Sequence, residues 1–407
     1  MKLELCCPTL FGLEGIVADE LRFGGKLEDV RAENGRVLFS GDADTLIWAN
    51  MHLRCAERVM IRLAAFRAVT FDDLFEGVKA IPWERFIPAN GAFPVKGHSL
   101  DSKLFSVPDC QKIVKKAVVN RLGEKYGVSW FEETGARYQI QFSIMHDQAE
   151  IFLDASGAGL HKRGYRANAN AAPLRETLAA AMIKLARWRG RDPFFDPFCG
   201  SGTIPIEAAM IALGRAPGLM RTFDAEHWHW IAAEQWKQAR EAAVAAVRTD
   251  VPLEMYGRDI DRDCVELALA NAKKAGVGHL IHFEQADATQ CDFCQQSGVL
   301  FANPPYGERL LDRQSAQEIY RAMGRVAGKS DLRQYYLTSD SEFEAFYGYR
   351  ADKRRKLYNG MIKCDLYMYF KPSADRKPYR PSAQSATFGR KEQQVPVQHK
   401  PKRPDHS

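Results

Sequence analysis

The sequence predicts two structural parts: an α+β half, followed by an α/β domain whose mostly parallel sheet is closed by an antiparallel hairpin. From about residue 190 onward, apolar strand-like runs alternate regularly with helical stretches, which is typical of a parallel sheet wrapped by helices. The last two runs, 354–359 and 362–370, meet at a short turn around Asn359 and Gly360, which predicts a hairpin. Earlier in the chain the helical and alternating runs lack this regular order, which favours α+β.

In the first half, short alternating runs predict antiparallel-style strands with one buried face. The clearest helix covers 107–122, where apolar residues recur on one face. Lys112, Lys115 and Lys116 lie off that face, and such a row of ammonium groups suits the phosphates of a folded RNA. A merely solvated helix face would show the same pattern.

In the second half, the strands and helices follow one another in a strict order, interrupted by a helical insertion at 213–254. We expect strands at 194–198, 255–260, 281–286, 299–303 and 334–338, with helices after Gly202 and over 262–275 and 315–328. The domain organisation that follows is 1–45 as a small α+β domain, 46–155 as a second α+β domain, 156–189 as a connector with the first helix, 190–370 as the α/β domain, and 371–407 as a tail.

The composition limits where the protein acts. The 407 residues contain no apolar run long enough to span a membrane, and the first residues do not resemble an export signal. Nine scattered cysteines are typical of reduced thiols in the cytosol, so we expect a cytoplasmic protein. Cys291 and Cys294 form a lone pair without nearby partners of similar spacing, so we expect no metal site.

The charge is unevenly distributed. The formal net charge is +6, and residues 371–407 contain nine basic and three acidic residues, so the whole surplus lies in the tail. The tail is rich in Pro, Lys, Arg, Gln and Ser and is expected to be disordered. Any nucleic-acid binding by the formally neutral body must therefore come from local patches.

The first candidate motif follows the first strand of the α/β domain. Residues 196–202 read Asp-Pro-Phe-Cys-Gly-Ser-Gly, a glycine turn without the Gly-Lys-Ser/Thr signature of a phosphate loop. Asp196 suits the amino group of S-adenosylmethionine, and Phe198, Gly200 and Gly202 are expected to line the same cofactor. Alone, the motif is equally compatible with a tight strand–helix turn.

Three further acidic residues follow the next two strands. A carboxylate at Asp259 can accept both ribose hydroxyls, whereas Asp261 can either assist it or cap the following helix. Asp287 follows the third strand and can accept a hydrogen bond from the adenine amine. Because acids recur at successive strand ends, a shared cofactor site explains them better than three unrelated caps.

The most specific motif is Asn-Pro-Pro-Tyr at 303–306, after the fourth strand. The lone pair of an exocyclic base amine is delocalised into the ring, so the amine is a poor nucleophile. The Asn303 side-chain oxygen and the Pro304 carbonyl can accept its two hydrogens and localise the lone pair toward a sulfonium methyl group. Tyr306 offers an aromatic face on which the base can stack.

These motifs resemble those of the Asn-Pro-Pro-Tyr class of amino methyltransferases, which have a Rossmann-like fold. The first half resembles a THUMP RNA-binding module with its preceding small domain. Further stretches, at 71–81, 160–166 and 172–180, are similar to the large-subunit rRNA guanine-N2 methyltransferase family.

The resemblance implies an S-adenosylmethionine-dependent enzyme that methylates a guanine N2 in 23S rRNA, with ribosomal RNA as partner and no obligate protein partner. It implies cofactor contacts from Asp196, Gly200, Asp259 and Asp287. Where the family often has Asn-Ser before the THUMP helix, this chain departs with Asp-Ser-Lys at 101–103, which weakens the family argument for this loop. Lys103 is among the expected RNA contacts. Some family members carry a second methyltransferase domain, and here one methylation activity is expected.

Other functions fit parts of the sequence. An adenine-N6 methyltransferase acting on RNA or DNA would use the same Asn-Pro-Pro-Tyr chemistry, and so would a protein glutamine methyltransferase. A third alternative is an RNA-binding protein with a degenerate cofactor pocket, against which the intact acids and Asn303 argue.

Overall fold

The computed structural model describes residues 1–166, 174–293, 296–305 and 313–380. The first half of the chain forms one seven-stranded sheet and four α-helices. Its strands are β1 (Leu3–Pro8), β2 (Val30–Glu33), β3 (Arg36–Gly41), β4 (Met60–Arg67), β5 (Val95–Leu100), β6 (Gln139–Met145) and β7 (Gln148–Asp154). Their spatial order is β2-β3-β1-β4-β7-β6-β5. The helices are α1 (Glu14–Asp19), which continues as a π-helical turn (Glu20–Gly24), α2 (Ala43–His52), α3 (Phe71–Lys79) and α4 (Val107–Tyr126).

This continuous sheet corrects two expectations. The domain boundary expected at 45/46 falls inside α2, and β1 pairs with β4, so the small N-terminal domain and the second domain share one sheet. The strands are also not all antiparallel, because β5 and β6 pair in parallel, with α4 as the connection between them. Helix α4 begins with Pro108 in its first turn and ends at Gly127, whose φ of +69° suits a glycine.

The second half contains the other seven-stranded sheet. Its strands are β8 (Phe194–Asp196), β9 (Met255–Asp259), β10 (His282–Gln285), β11 (Val299–Ala302), β12 (Arg333–Thr338), β13 (Lys353–Asn359) and β14 (Ile362–Tyr369), in the order β10-β9-β8-β11-β12-β14-β13. The helices are α5 (Glu176–Leu185), α6 (Thr203–Ala212), α7 (Ala233–Ala245), α8 (Arg262–Lys274), α9 (Arg313–Val326) and α10 (Phe343–Tyr347).

The predicted α/β architecture is confirmed. Strands β8 to β12 run parallel, while β14 pairs antiparallel with both β12 and β13. The chain leaves β8 in one direction for β9 and β10, then returns to place β11 on the other side of β8. Ligands bind at such a reversal, outside the carboxyl ends of the strands. The ends of β8, β9, β10 and β11, where the candidate residues lie, therefore share one edge.

The centre of this sheet is apolar on both faces. All four residues of β11 are buried, and the Phe301 ring stacks on Phe194 of β8 at 5.1 Å between centroids. Buried parallel strands of this kind read as continuous apolar runs because helices cover both faces. Helices α5 and α6 are themselves almost entirely buried. The packed centre of the sheet therefore fixes the positions of the strand ends.

The two halves are joined by buried polar contacts. The Arg163 guanidinium donates to the Glu207 carboxylate of α6 and to the backbone oxygen of Arg54, and both charged side chains are essentially inaccessible to water. In the insertion, Trp228 stacks on Tyr138 of the first half at 5.4 Å. Trp228 therefore packs between the two halves, with Trp230 beside it, whereas His227 and His229 are exposed.

The tail begins later than expected. Residues 371–380 were expected to be disordered, yet Arg376 is buried and donates to the carbonyls of Gly328 (2.8 Å) and Leu332 (2.6 Å). The backbone N–H of Tyr379 also donates to Gly348. Composition missed this segment because a single buried arginine, rather than an apolar face, attaches it to the domain. The rest of the expected disordered tail, 381–407, lies outside the described residues.

Among the helices of the described ranges, none is both long and apolar enough to cross a membrane.

Candidate active site

The loop between β8 and α6 forms the centre of the site. Gly200 and Gly202 both have positive φ, at +51° and +81°, which an L side chain rarely adopts. A Cβ atom on Gly202 would lie 3.0 Å from the Ala268 side chain of α8, so the glycine also permits close helix packing. Open space surrounds Gly200, and a ligand can approach its backbone closely. Phe198 lies half-buried in the same loop.

Asp196 is buried at the end of β8 and has an unusual hydrogen-bond balance. One carboxylate oxygen accepts from the Phe198 N–H at 3.1 Å, while the other, Oδ2, is buried without a partner among the described residues. Burial, together with the charge of Asp259, raises the pKa of Asp196 well above its usual range. A buried acceptor without a donor is costly, and a cationic ligand would relieve the cost.

Asp259 connects two of the strand ends. Its Oδ2 accepts from the Gly200 N–H at 2.8 Å, and its Oδ1 accepts from the Asp261 N–H at 3.0 Å. The carboxylate thus fixes the glycine loop against β9 while each oxygen keeps a lone pair for a further donor. Asp261 is exposed and caps α8 through the Asp263 N–H at 2.9 Å, which is the simpler of its two expected roles.

Asp287 lies one strand further along the same edge. Its Oδ1 accepts from the backbone N–H and the hydroxyl of Thr289, at 2.9 and 2.7 Å, which holds the loop after β10. Ile260, which directly follows β9, is 66% exposed, and its carbonyl accepts from the Gln285 side chain at the end of β10. It offers an apolar surface at this edge of the sheet. A flat aromatic group with an amine at its edge would match an apolar face next to an acceptor.

Asn303 lies at the end of β11, beside β8. Leu300 of β11 pairs with Phe195 of β8. If this register is continued toward the carboxyl ends of the strands, Asn303 lies two residues beyond the level of Asp196. Its Oδ1 is buried and, within the described ranges, without a hydrogen-bond partner. Adjacent strands of one sheet thus each end in a buried acceptor that lacks a donor.

A side chain of α9 supports the described remainder of the Asn-Pro-Pro-Tyr turn. Pro304 is buried, and the Tyr320 hydroxyl of α9 contacts the Pro305 carbonyl at 3.4 Å and Thr338 at 2.9 Å. The expected stacking residue, Tyr306, lies outside the described residues. So does Cys294, whereas Cys291 is half-buried beside the Asp287 backbone, with its sulfur 3.4 Å from the carbonyl oxygen.

Arg166 is a site residue that the sequence motifs did not single out. Its guanidinium donates to the Thr203 hydroxyl at 2.6 Å, at the first residue of α6, and forms an ion pair with Glu176 at 3.5 Å. The side chain is only 14% exposed. A guanidinium that is paired with Glu176 therefore lies at the start of α6. The stretch at 160–166 was recognised by resemblance, but no spacing rule links it to residue 203.

The four lysines expected to bind RNA differ in their surroundings. Lys112 and Lys116 are exposed on α4, and Lys103 is exposed in the preceding loop. Lys115 instead pairs with Glu133, donates to the Phe93 carbonyl at 3.1 Å and lies over the Phe93 ring. RNA binding by Lys115 stays a prediction, and its ammonium already has an internal anion and a carbonyl as partners. The exposed Lys112 also has an anionic partner, Asp109 at 3.3 Å on the same helix.

Comparison with family models agrees with this geometry. The model of the RMKL-like methyltransferase domain matches residues 163–368, which include the second sheet except for the last residue of β14. The chain belongs to this family. The model of the RlmL ferredoxin-like domain matches residues 4–60, and that of the THUMP domain matches 68–154, so the boundary within the first half lies near β4.

Relatives of this RMKL-like methyltransferase cover different lengths. The chain is 47% identical over 372 residues to the Bacillus subtilis (strain 168) protein named "Putative RNA methyltransferase YpsC", covering 91% of this chain and 96% of that one. It is 34% identical over 393 residues to the Ribosomal RNA large subunit methyltransferase K/L of Psychromonas ingrahamii. That match covers 93% of this chain but 52% of the relative, so the chain spans about half the length of that K/L protein.

Two solved structures share the fold over most of the chain. A Listeria monocytogenes protein described as a predicted N6-adenine-specific DNA methylase is 46% identical, with a TM-score of 0.86 over 91% of this chain and 97% of that one. SMU.472, a methyltransferase solved with S-adenosylhomocysteine, is 40% identical, with a TM-score of 0.85 over 91% and 98%. Both therefore share the first half as well as the methyltransferase domain.

Proposed function

We propose that this RMKL-like methyltransferase transfers the methyl group of S-adenosylmethionine to the exocyclic N2 amine of a guanine in 23S ribosomal RNA. The observation that carries the proposal is the pair of buried acceptors at adjacent strand ends, Asp196 Oδ2 and Asn303 Oδ1. One suits the ammonium of the cofactor and the other suits an amine that must be activated. Buried acceptors without a donor are uncommon in folded proteins, so two of them at adjacent strand ends favour a ligand site over a purely structural turn.

The cofactor's groups match the acids along the sheet edge. The amino group fits Asp196, the ribose hydroxyls fit Asp259, and the adenine amine fits Asp287, in the order of β8, β9 and β10. The product S-adenosylhomocysteine in SMU.472 supports the same cofactor here.

The target amine is activated by the Asn-Pro-Pro-Tyr turn. Asn303 Oδ1 and the Pro304 carbonyl accept the two amine hydrogens, and the nitrogen lone pair then points toward the methyl group. These contacts gain strength as the amine becomes tetrahedral, so they lower the barrier more than they tighten binding. Donor S-adenosylmethionine supplies the methyl group when bound, and the chain's own residues orient the two reactants.

The substrate assignment rests on the first half of the chain. The THUMP match and the relative named for large-subunit ribosomal RNA favour an rRNA substrate. Exposed Lys103, Lys112 and Lys116 provide the local positive charge that the formally neutral body requires. The assignment of guanine N2 as the target amine rests on the resemblance of the stretches at 71–81, 160–166 and 172–180 to the guanine-N2 methyltransferase family.

An adenine N6 amine is the second candidate. It is favoured by the description of the Listeria monocytogenes protein as an N6-adenine-specific DNA methylase. The Asn303 and Pro304 acceptors suit either amine, since both are conjugated to a purine ring.

The test is to incubate the purified chain with methyl-labelled S-adenosylmethionine and unmodified large-subunit rRNA, digest the RNA and identify the labelled nucleoside by mass spectrometry. We expect N2-methylguanosine. Labelled N6-methyladenosine would support the second candidate, and label in duplex DNA but not in RNA would overturn the rRNA assignment. The Asn303→Ala variant is the control for labelling by a contaminating enzyme.

A further inference from the structure

The turn between β13 and β14 exposes apolar side chains that the fold does not require. Met361 is 98% exposed, and the adjacent Ile362 is 38% exposed. We call residues 358–363 the hairpin tip. Single exposed apolar residues are common. A fully exposed methionine next to an exposed isoleucine, however, leaves adjoining apolar surface in contact with water, which is unfavourable and is not offset by packing. This pair therefore suggests a contact with another molecule.

The register places the hairpin tip at the active edge of the sheet. Extension of the β11–β12 pairing aligns Pro304 with Thr338, and Thr338 pairs with Asp365 of β14. Strand β14 runs in the opposite direction, so Ile362 lies three residues beyond this edge. Strand geometry then puts the hairpin tip about 10 Å to the side of the target-amine position and about 10 Å beyond it.

The hairpin tip and the strand that leads to it carry an excess of positive charge. Residues 353–363 contain five basic side chains and no acidic one. Arg354 is paired with Glu344 and Asp365, while Lys356 and Lys363 are exposed, with no ion pair to the described residues. Lysines on an edge strand also discourage aggregation, which explains part of the charge. It does not explain the exposed Met361 between them.

The first half of the chain braces the hairpin. The Phe11 ring packs edge-on against Tyr358 at 6.2 Å between centroids, and the Arg355 guanidinium donates to the Gly12 carbonyl. Phe11 itself is 60% exposed. The hairpin tip is thus fixed relative to both halves and continues the apolar surface of the first half.

We propose that the hairpin tip binds the substrate RNA next to the target base, and that Met361 fills the space in the base stack when that base is turned out into the site. A base amine inside a helix is out of reach, so the base must leave the stack, at a cost of a few kcal/mol. Long apolar side chains, methionine among them, stabilise such gaps by inserting between neighbouring bases. Lys356 and Lys363 would hold the flanking phosphates. This inference rests on the proposed transfer to a base amine of RNA.

The test compares two RNAs that differ only in the cost of extruding the target base. After the modified nucleotide has been mapped on the large-subunit rRNA transcript, it is placed in two synthetic RNA hairpins, paired in one and bulged in the other. The full chain is assayed as wild type, Met361→Ala and Met361→Asp. The matched control is Val244→Asp, which changes a 60% exposed side chain on α7.

For the paired RNA we expect Met361→Ala to lower kcat/KM about tenfold, since the inserted side chain offsets part of the cost of unstacking one step. Met361→Asp should also raise the KM for RNA through repulsion of the phosphates. For the bulged RNA both variants should stay within about twofold of wild type, because no stacked base has to be extruded. Affinity for S-adenosylhomocysteine and the Tm should not change, and Val244→Asp should match wild type throughout.

Equal reductions on both RNAs, or no reduction on the paired one, would overturn the role of Met361. Variants that keep wild-type rates on RNA but no longer bind ribosomal protein would assign the hairpin tip to a protein partner instead. If the wild type binds the rRNA transcript without methylating any base, the proposed function fails. In that case, weaker binding by Met361→Asp than by Val244→Asp still shows the RNA contact, and equal binding overturns it.

Discussion

Replacing Asp196 with Asn separates the cofactor role of this residue from its structural role. The substitution keeps the size of the side chain and the Oδ1 acceptor for the Phe198 N–H, and it replaces the charged Oδ2 acceptor by a neutral NH2 group. If Oδ2 binds the cofactor's ammonium, the substitution removes a hydrogen bond between two charged groups in a buried setting. Such bonds contribute about 2 kcal/mol, so the Kd for S-adenosylhomocysteine should rise about 30-fold.

The same substitution should have the opposite effect on the free protein. Burial and the charge of Asp259 raise the pKa of Asp196, so the folded state binds a proton more tightly than the unfolded chain does. That contribution to stability is complete below the unfolded pKa of about 3.9 and is lost as the pH rises through the raised pKa. At neutral pH and above, Asp196→Asn should therefore have a higher Tm than wild type, and the difference should vanish in acid.

Calorimetry distinguishes this reasoning from a general disturbance of the loop. Binding to wild type should release a proton, because the ammonium favours the ionised carboxylate, and the apparent enthalpy should then vary with the ionisation enthalpy of the buffer. The Asn variant should show neither the proton release nor the associated rise of affinity with pH. A variant that binds S-adenosylhomocysteine as tightly as wild type, or one that loses both affinity and Tm, would refute the assignment.

Three further substitutions and one double replacement test the remaining parts of the site and its support. Asn303→Ala should lower kcat about 100-fold at unchanged S-adenosylhomocysteine affinity, measured by steady-state kinetics and calorimetry, because its contact strengthens mainly in the transition state. Asp259→Ala should weaken S-adenosylhomocysteine binding by about 2 kcal/mol, and equal affinity would exclude the ribose contact. Glu207→Ala should lower the free energy of unfolding by about 3–5 kcal/mol in a denaturant titration, because it leaves a buried guanidinium without its anion. Joint replacement of Lys112 and Lys116 by alanine should flatten the dependence of log RNA affinity on log salt by about 0.7 for each phosphate of single-stranded RNA that the variant no longer neutralises, and an unchanged slope would argue against α4 as the docking face.

The sequence alone was sufficient for the architecture of the methyltransferase domain. Side chains on one face repeat every two residues in a strand and every 3.6 residues in a helix, so the spacing of apolar residues predicts these elements from the sequence. The same holds for the strand ends, because parallel strands place their carboxyl ends at one edge. Asp196, Asp259, Asp287 and Asn303 could therefore be grouped into one site before any distance was known, and the observed sheet order β10-β9-β8-β11 brings their positions together.

Composition and periodicity could not determine which side chains pair across the fold. Lys115 looked like its neighbours Lys112 and Lys116 on the helix, yet Glu133 takes its charge. Similarly, Arg376 attaches a segment whose composition predicted disorder. In both examples a single distant partner decides the outcome, and such a partner leaves no periodic signal.

By itself, therefore, the sequence determined the fold class, the order of the catalytic-domain strands and the strand-end acids. Only the tertiary structure brought Arg166 to the start of α6, merged the first two domains into one sheet and placed Met361 beyond the active edge. The physical reason is the range of the interactions. Backbone geometry repeats every two or 3.6 residues and is local, whereas charge pairing and packing join residues that are far apart in the chain and become neighbours only when the chain has folded.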